Sequence, residues 1–153
     1  MKQELVRDWM TSDPVTIVPD TPLPKAHRLM MQHNIRRLPV MKNRRIVGIV
    51  TLGDVRGAEP SGATTLSIWE INYLISRLKV EEIMTPRPFT VSVNATVGEA
   101  AERMLEHKLS GLPVVDDAGK LVGIITESDI FRMVVRDWRR QEEATAELAQ
   151  PLF

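Results

Sequence analysis

Val47-Gly48-Ile49-Val50-Thr51-Leu52-Gly53-Asp54 and Val122-Gly123-Ile124-Ile125-Thr126-Glu127-Ser128-Asp129 are one pattern written twice. Each copy runs apolar and β-branched up to a threonine, with an aspartate three places on. Upstream of each stands Leu-Pro-Val, at Leu38-Pro39-Val40 and Leu112-Pro113-Val114. Further back, Ala26, Met30 and His33 answer to Ala100, Met104 and His107. Trp9-Met10-Thr11-Ser12-Asp13-Pro14-Val15-Thr16 likewise answers to Ile83-Met84-Thr85-Pro86-Arg87-Pro88-Phe89-Thr90. Matches kept in one order over so long a stretch mark an internal repeat, with a single-residue length difference in the turn before Arg45 and Lys120.

The local signals give each copy the same element order. Residues 15–18 and 89–93 are short β-rich runs preceded by prolines and are predicted as strands. Leu23, Ala26, Leu29 and Met30 fall at helical spacing within residues 22–32, and Val97, Ala100, Ala101, Met104 and Leu105 repeat the stripe. Thr21 and Ala95 precede these helices, so only the first is expected to have a capping side chain. Residues 38–41 and 46–51 form a hairpin around Lys42-Asn43-Arg44-Arg45, and 112–115 and 121–126 form another around Asp116-Asp117-Ala118-Gly119. A helix follows each Thr, the second from Ser128 to about Gln141 with Ile130, Phe131, Val134, Val135 and Trp138. The class is α/β (α+β), two β-α-β-β-α repeats.

Composition narrows the functions. The chain has 153 residues, 20 basic against 20 acidic, and 43% hydrophobic content, which is that of an ordinary globular protein with no global field toward nucleic acid or an anionic membrane. It has no cysteine, so disulfides, thiolate zinc sites and cysteine nucleophiles are excluded. The opening Met-Lys-Gln-Glu-Leu-Val-Arg-Asp lacks the apolar core of a signal peptide, and no apolar run approaches the ~18 residues that cross a bilayer. The chain is read as cytoplasmic. His33 and His107, near their helix ends, are better placed for the helix dipole than for metal. Met30, Met31 and Met104 read as core fillers. No phosphate-binding Gly-rich loop and no nucleophile motif is present, so no catalytic group, required cofactor or metal is assigned and the chain is read as no enzyme.

The paired pattern Met-Thr-x-x-Pro-x-Thr, then Leu-Pro-Val, then Val-Gly-Ile-[Val/Ile]-Thr-x-x-Asp-[Val/Ile], resembles the CBS domain, the repeat named for cystathionine β-synthase. The resemblance covers residues 5–56 and 80–135. It implies a stand-alone tandem in which residues 5–57 form repeat 1, 58–79 a linker with an apolar helix, 80–136 repeat 2 and 137–153 a tail. It also implies repeats packed with pseudo-two-fold symmetry, leaving two clefts that in the family bind AMP, ADP, ATP or related adenosyl ligands.

Thr51 and Thr126 end a strand and open a helix, where backbone N–H groups favour a phosphate, and Asp54 and Asp129 lie where a carboxylate can hold a ribose diol. The same residues also suit a simpler task, capping the helix and complementing its dipole. By resemblance, Arg36, Arg37 and Pro39 join Thr126, Ser128 and Asp129 at the stronger nucleotide site, with Pro14, Val15, Thr16 and Ile17 flanking the base. A weaker site pairs Thr51 and Asp54 with Phe89, Thr90, Val91, Ser110, Gly111 and Pro113. Arginine offers phosphate a planar fork that Ser110 and Gly111 cannot, and Gly53 stands where the other copy has Ser128. Arg36 and Arg37 could equally be a solvated basic corner with Arg44 and Arg45.

Between the copies, 57–63 reads as a loop, followed by an apolar helix carrying Leu66, Ile68, Trp69, Ile71, Tyr73, Leu74, Ile75 and Leu78. Part of it should pack on the core and part form a dimer surface; the tail is expected to fray beyond Trp138. Two functions remain open: a regulatory module that senses adenine nucleotides for energy sensing, acting on an unknown effector protein or through its homodimer, and a structural interaction domain with empty clefts whose working surface is the helix at 65–78.

Overall fold

Val6 and Val80 open equivalent four-residue helices, α1 (Val6–Trp9) and α5 (Val80–Ile83), and both side chains are fully buried. Each lies in the core of the other repeat. In this computed structural model, which describes residues 3–59 and 65–151, the chain divides into two units. One holds the residues up to Ser12, Thr90–Asp117 and the stretch from Val122 onward; the other holds Asp13–Phe89 with Ala118–Leu121. The units therefore cut across the sequence repeats, because the opening segments are exchanged.

The unit built on the first repeat contains α2 (Leu23–His33), β2 (Arg37–Lys42), β3 (Arg45–Thr51), α3 (Leu52–Ala58), α4 (Ile68–Arg77), α5 and β4 (Thr85–Pro86). Its sheet runs β2-β3-β4, all antiparallel. Asn43 and Arg44 take positive φ (53° and 64°), the sense of twist that a two-residue hairpin turn needs. The core gathers Ile17, Leu23, Ala26, Met30, Leu38, Val40, Val50 and Val55 around Val80. The apolar stripe of α2 is thus buried at Leu23, Ala26 and Met30, while Leu29 is partly buried against that core.

The unit built on the second repeat contains α1, β1 (Thr11–Ser12), β5 (Val91–Ser92), α6 (Val97–His107), β6 (Gly111–Val115), β7 (Leu121–Thr126) and α7 (Glu127–Ala149). Its sheet runs β1-β7-β6-β5, and its core gathers Val91, Val97, Ala100, Met104, Leu112, Val114 and Ile125 around Val6.

Matching backbone bonds dock the opening segments. Val6 N–H donates to Ala95 C=O (2.9 Å) and Val97 N–H to Glu4 C=O (2.8 Å); in the other unit Val80 N–H donates to Thr21 C=O (2.9 Å) and Leu23 N–H to Leu78 C=O (2.9 Å). Thr11 then pairs with Ile124, and Thr85 with Ile49. This register brings Met10 onto Gly123 and Met84 onto Gly48: a Cβ would meet the Met10 sulfur at 2.5 Å and the Met84 sulfur at 2.3 Å. Only glycine leaves room for the methionine.

Several expectations are corrected. The strand at 15–18 is a single parallel bridge from Ile17 to Val40, and the one at 89–93 shrinks to Val91–Ser92, since flanking prolines bring no N–H to a ladder. The capping of the two equivalent helices is reversed. Thr21 instead accepts from Val18 N–H and Pro22 stands at the N-cap without a side-chain bond, whereas Thr96 and Glu99 form a full capping box on α6. Leu105 is solvent-exposed rather than part of the stripe. Gly57 and Ala58 belong to α3, and the rest of the 57–63 loop beyond Glu59 lies outside the described residues. The helix expected to end near Gln141 continues to Ala149.

Gly123→Ala is expected to lower unfolding free energy by about 1–3 kcal/mol, as over-packing does. Gly48→Ala should cost less, because its added methyl meets only the Met84 side chain, whereas at Gly123 it also meets the Thr11 carbonyl oxygen at 2.8 Å. Urea unfolding of both variants, and of Gly48→Ala combined with Met84→Ala, checks the contact: the double variant should be less than additive.

Candidate functional site

Each hairpin ends on a threonine whose backbone turns directly into a helix, and at both corners the aspartate three residues on accepts from the threonine N–H. On α3, Asp54 Oδ2 accepts from Thr51 N–H (2.9 Å) and Thr51 Oγ1 accepts from Asp54 N–H (3.1 Å), a reciprocal capping box. On α7, Asp129 Oδ2 accepts from Thr126 N–H (2.8 Å) and from the Thr126 hydroxyl (3.2 Å). The capping role of these residues is therefore present in the structure, and one face of each carboxylate is committed to it.

The preceding strands feed the same corners. Arg37 lies directly across from Thr51 on β2 and β3, and the Arg36 carbonyl accepts from Leu52 N–H (2.8 Å). The Ser110 carbonyl accepts from Glu127 N–H (3.1 Å) in the equivalent place. These two helix-opening N–H groups, expected to be open to a phosphate, are satisfied by protein. The structure thus brings Arg36 and Arg37 to Thr51 within one unit, and Ser110 and Gly111 to Thr126 within the other. Pro39, Gly111 and Pro113 are buried, and Ile17 and Val91 are buried at the bridges to Val40 and Val114. Pro14 and Val15 are half-buried, while Thr16, Arg36, Phe89, Gly53 and Ser128 are exposed. The Thr90 carbonyl accepts from Arg103 (2.6 Å).

The two aspartates differ in what covers them. Asp129 is 5% exposed, and its Oδ1 accepts from Arg132 Nη1 at 2.6 Å. Asp54 is half-buried, and among the described residues no protein donor reaches its Oδ1. Sequence reasoning missed Arg132, although its place one turn beyond Asp129 was a readable signal. It also missed the cluster that pins the opening segment to α7. Arg136 binds Glu4 and Asp137 and lies 4.6 Å from the Trp9 ring centroid, while Trp9 Nε1 donates to Glu4 (3.0 Å). The Asp137 and Glu4 carboxylates hold the Arg136 guanidinium above its usual pKa. A shallow groove runs along α7 from Ser128 past Arg132 and Arg136 to Glu143.

Two copies of a β-hairpin ending in a Thr–Asp helix cap define a tandem-repeat α/β protein. The family model of the CBS domain matches residues 6–61 and 80–136, so the chain belongs to the CBS domain family. Among curated proteins, it is 38% identical over 123 residues to inosine-5′-monophosphate dehydrogenase of Korarchaeum cryptofilum, an alignment covering 80% of this chain and 23% of that enzyme. The chain spans less than half the length of the first such relatives. Among solved structures, it is similar to the CBS domain pair of protein MJ0100 in complex with 5′-methylthioadenosine and S-adenosyl-L-methionine, at 30% identity and TM-score 0.74, covering 89% of this chain and 99% of that one. It is also similar to CBSX2 in complex with AMP, a protein of Arabidopsis thaliana, at 30% identity and TM-score 0.71, covering 87% and 97%. Among the described residues no helix is long and apolar enough to cross a membrane.

Thr51→Ala is expected to destabilise the protein by about 1 kcal/mol through loss of the α3 cap. Thr51→Ser should be close to neutral in the same denaturation experiment, since the hydroxyl is kept.

Proposed function

We propose that this chain is a non-enzymatic regulatory module that binds an adenosyl ligand, first of all an adenine nucleotide, and passes the binding event on. The observation that carries the reading is the duplicated Thr–Asp cap, in a chain similar over nearly its whole length to CBS pairs solved with AMP, 5′-methylthioadenosine and S-adenosyl-L-methionine. A carboxylate whose second oxygen can still accept hydrogen bonds suits a ribose diol. In this reading Asp129, Thr126 and Ser128 serve one binding event together with Arg36, Arg37, Pro39 and residues 14–17. Asp54 and Thr51 serve a weaker one with Phe89, Thr90, Val91, Ser110, Gly111 and Pro113.

The reading extends to a cytoplasmic energy-sensing homodimer acting on an effector protein. Exposed Ile68, Trp69, Tyr73 and Leu74 on α4, and Phe131, Val134 and Trp138 on α7, supply apolar surface of the kind that self-association covers. The exposure of α4 is also what favours the second reading, an interaction domain with vacant nucleotide sites: α4 has a full capping box at Ser67 and Glu70 but no buried residue.

A thermal-shift screen over AMP, ADP, ATP, 5′-methylthioadenosine and S-adenosylmethionine separates the two readings, because a ligand bound only by the folded state raises the midpoint. The regulatory reading predicts a dose-dependent rise with at least one of them; no rise with any leaves the interaction-domain reading. In calorimetry, Asp129→Ala and Arg37→Ala should each weaken the tighter event, Arg37→Ala by about tenfold for a phosphorylated ligand, the scale of a lost charge-assisted hydrogen bond. Asp54→Ala should leave that event in place. The reverse pattern would exchange the two site assignments. Sedimentation should give a dimer at micromolar concentration, and a monomer there would remove that part of the reading.

A further inference from the structure

Asp54 and Asp129 occupy the same position in the two caps, yet only one is clamped. Arg132 lies one helical turn beyond Asp129, on the same face, and its Nη1 donates to Asp129 Oδ1 at 2.6 Å. The partners are unequally placed: the Asp129 side chain is 7% exposed and that of Arg132 is 67% exposed. The carboxylate is fixed by Thr126 on its other oxygen, so the movable member of the pair is the guanidinium. The equivalent place after Asp54 is Gly57 on α3, where a Cβ would meet nothing within 4 Å among the described residues. The first repeat therefore lacks such an arginine, although no described neighbour blocks a side chain at its Cβ position.

We propose that Arg132 is a specificity-determining residue that makes the Asp129 site selective for phosphorylated over neutral adenosyl ligands, an inference that rests on the function proposed above. A neutral nucleoside brings only its diol to Asp129 and must share or displace the guanidinium already on Oδ1. Nothing on such a ligand compensates the arginine for the bond it gives up. A phosphorylated ligand changes the balance. The guanidinium has five N–H donors in a rigid fork, so it can keep one on Asp129 and offer others to phosphate oxygens, or transfer from one anion to the other without losing its countercharge. The Asp54 site, with glycine in place of the arginine, has no such device and should accept neutral adenosyl ligands with little discrimination. One chain would then carry two sites of the same architecture with different charge preference.

The test is calorimetry with AMP and adenosine, each site read alone: the Asp129 site in an Asp54→Ala background and the Asp54 site in an Asp129→Ala background. Arg132→Gln shortens an exposed side chain, removes the charge and keeps an amide donor; because Asp129 loses its countercharge, thermal unfolding of the variant without ligand is measured beside the calorimetry. The substitution should weaken AMP about tenfold and leave adenosine equal or tighter, collapsing the AMP-to-adenosine ratio at the Asp129 site. Gly57→Arg, grafted into open space, should raise that ratio at the Asp54 site. An unchanged ratio in Arg132→Gln, or equal losses for both ligands, overturns the role of Arg132 while leaving ligand binding intact. A protein of native sequence that binds neither compound at either site overturns this inference, and if ADP, ATP, 5′-methylthioadenosine and S-adenosylmethionine also fail to bind, the proposed function falls with it.

Discussion

Met10 resting on Gly123, and Met84 on Gly48, are the contacts on which the remaining architecture depends. They set the register of β1 against β7 and of β4 against β3, and through it they bring Val6 and Val80 into cores that neither repeat could otherwise close. A fully buried valine is worth roughly 1.5–3 kcal/mol, a large share of the stability of a small domain. A side chain at either glycine must displace the methionine, and at Gly123 it also meets backbone. This is the physical reason for two motif residues at once: the glycine of Val-Gly-Ile and the methionine of Met-Thr are two halves of one packing contact.

The candidate site inherits its precision from that frame. Thr51 and Thr126 are the last residues of strands whose other ends are fixed by the hairpin turns and whose flanks are fixed by the exchanged segments. The caps then orient the aspartates, Asp54 by one hydrogen bond to its carboxylate and Asp129 by two, so both carboxylates sit in defined places. Pre-orientation of this kind lowers the ordering cost of binding. One difference between the two aspartates is local and small, Gly57 in one copy and Arg132 in the other.

Much of this was legible in the residues. The repeat, the α2 and α6 stripes, both hairpins and the Thr-x-x-Asp corners follow from periodicity, turn chemistry and recurrence, since each is a local property of adjacent side chains. The exchange of opening segments was not legible. α1 and α5 are single turns with no periodicity to read, and nothing within a four-residue helix says which core its one buried valine enters. The misplaced cap on α6 has a similar origin: Ala95 and Thr96 differ by one position, and the choice is made by the bond from Val6 to the Ala95 carbonyl, a contact from the far end of the chain. The Asp129–Arg132 pair was readable by spacing, but its consequence needed the burial of one partner and the exposure of the other.

A folded body here consists of one repeat closed by the opening segment of the other, and two fragments test this directly. The fragment 13–89 holds the first repeat with α5 and β4, whereas 1–61 holds the first repeat with its own opening segment. Circular dichroism during thermal unfolding should show a cooperative transition for 13–89, in which Val80 and Met84 close the core over Gly48, and no cooperative transition for 1–61. A cooperative transition in 1–61 with none in 13–89 would contradict the account, because the first repeat would then be closed by its own opening segment.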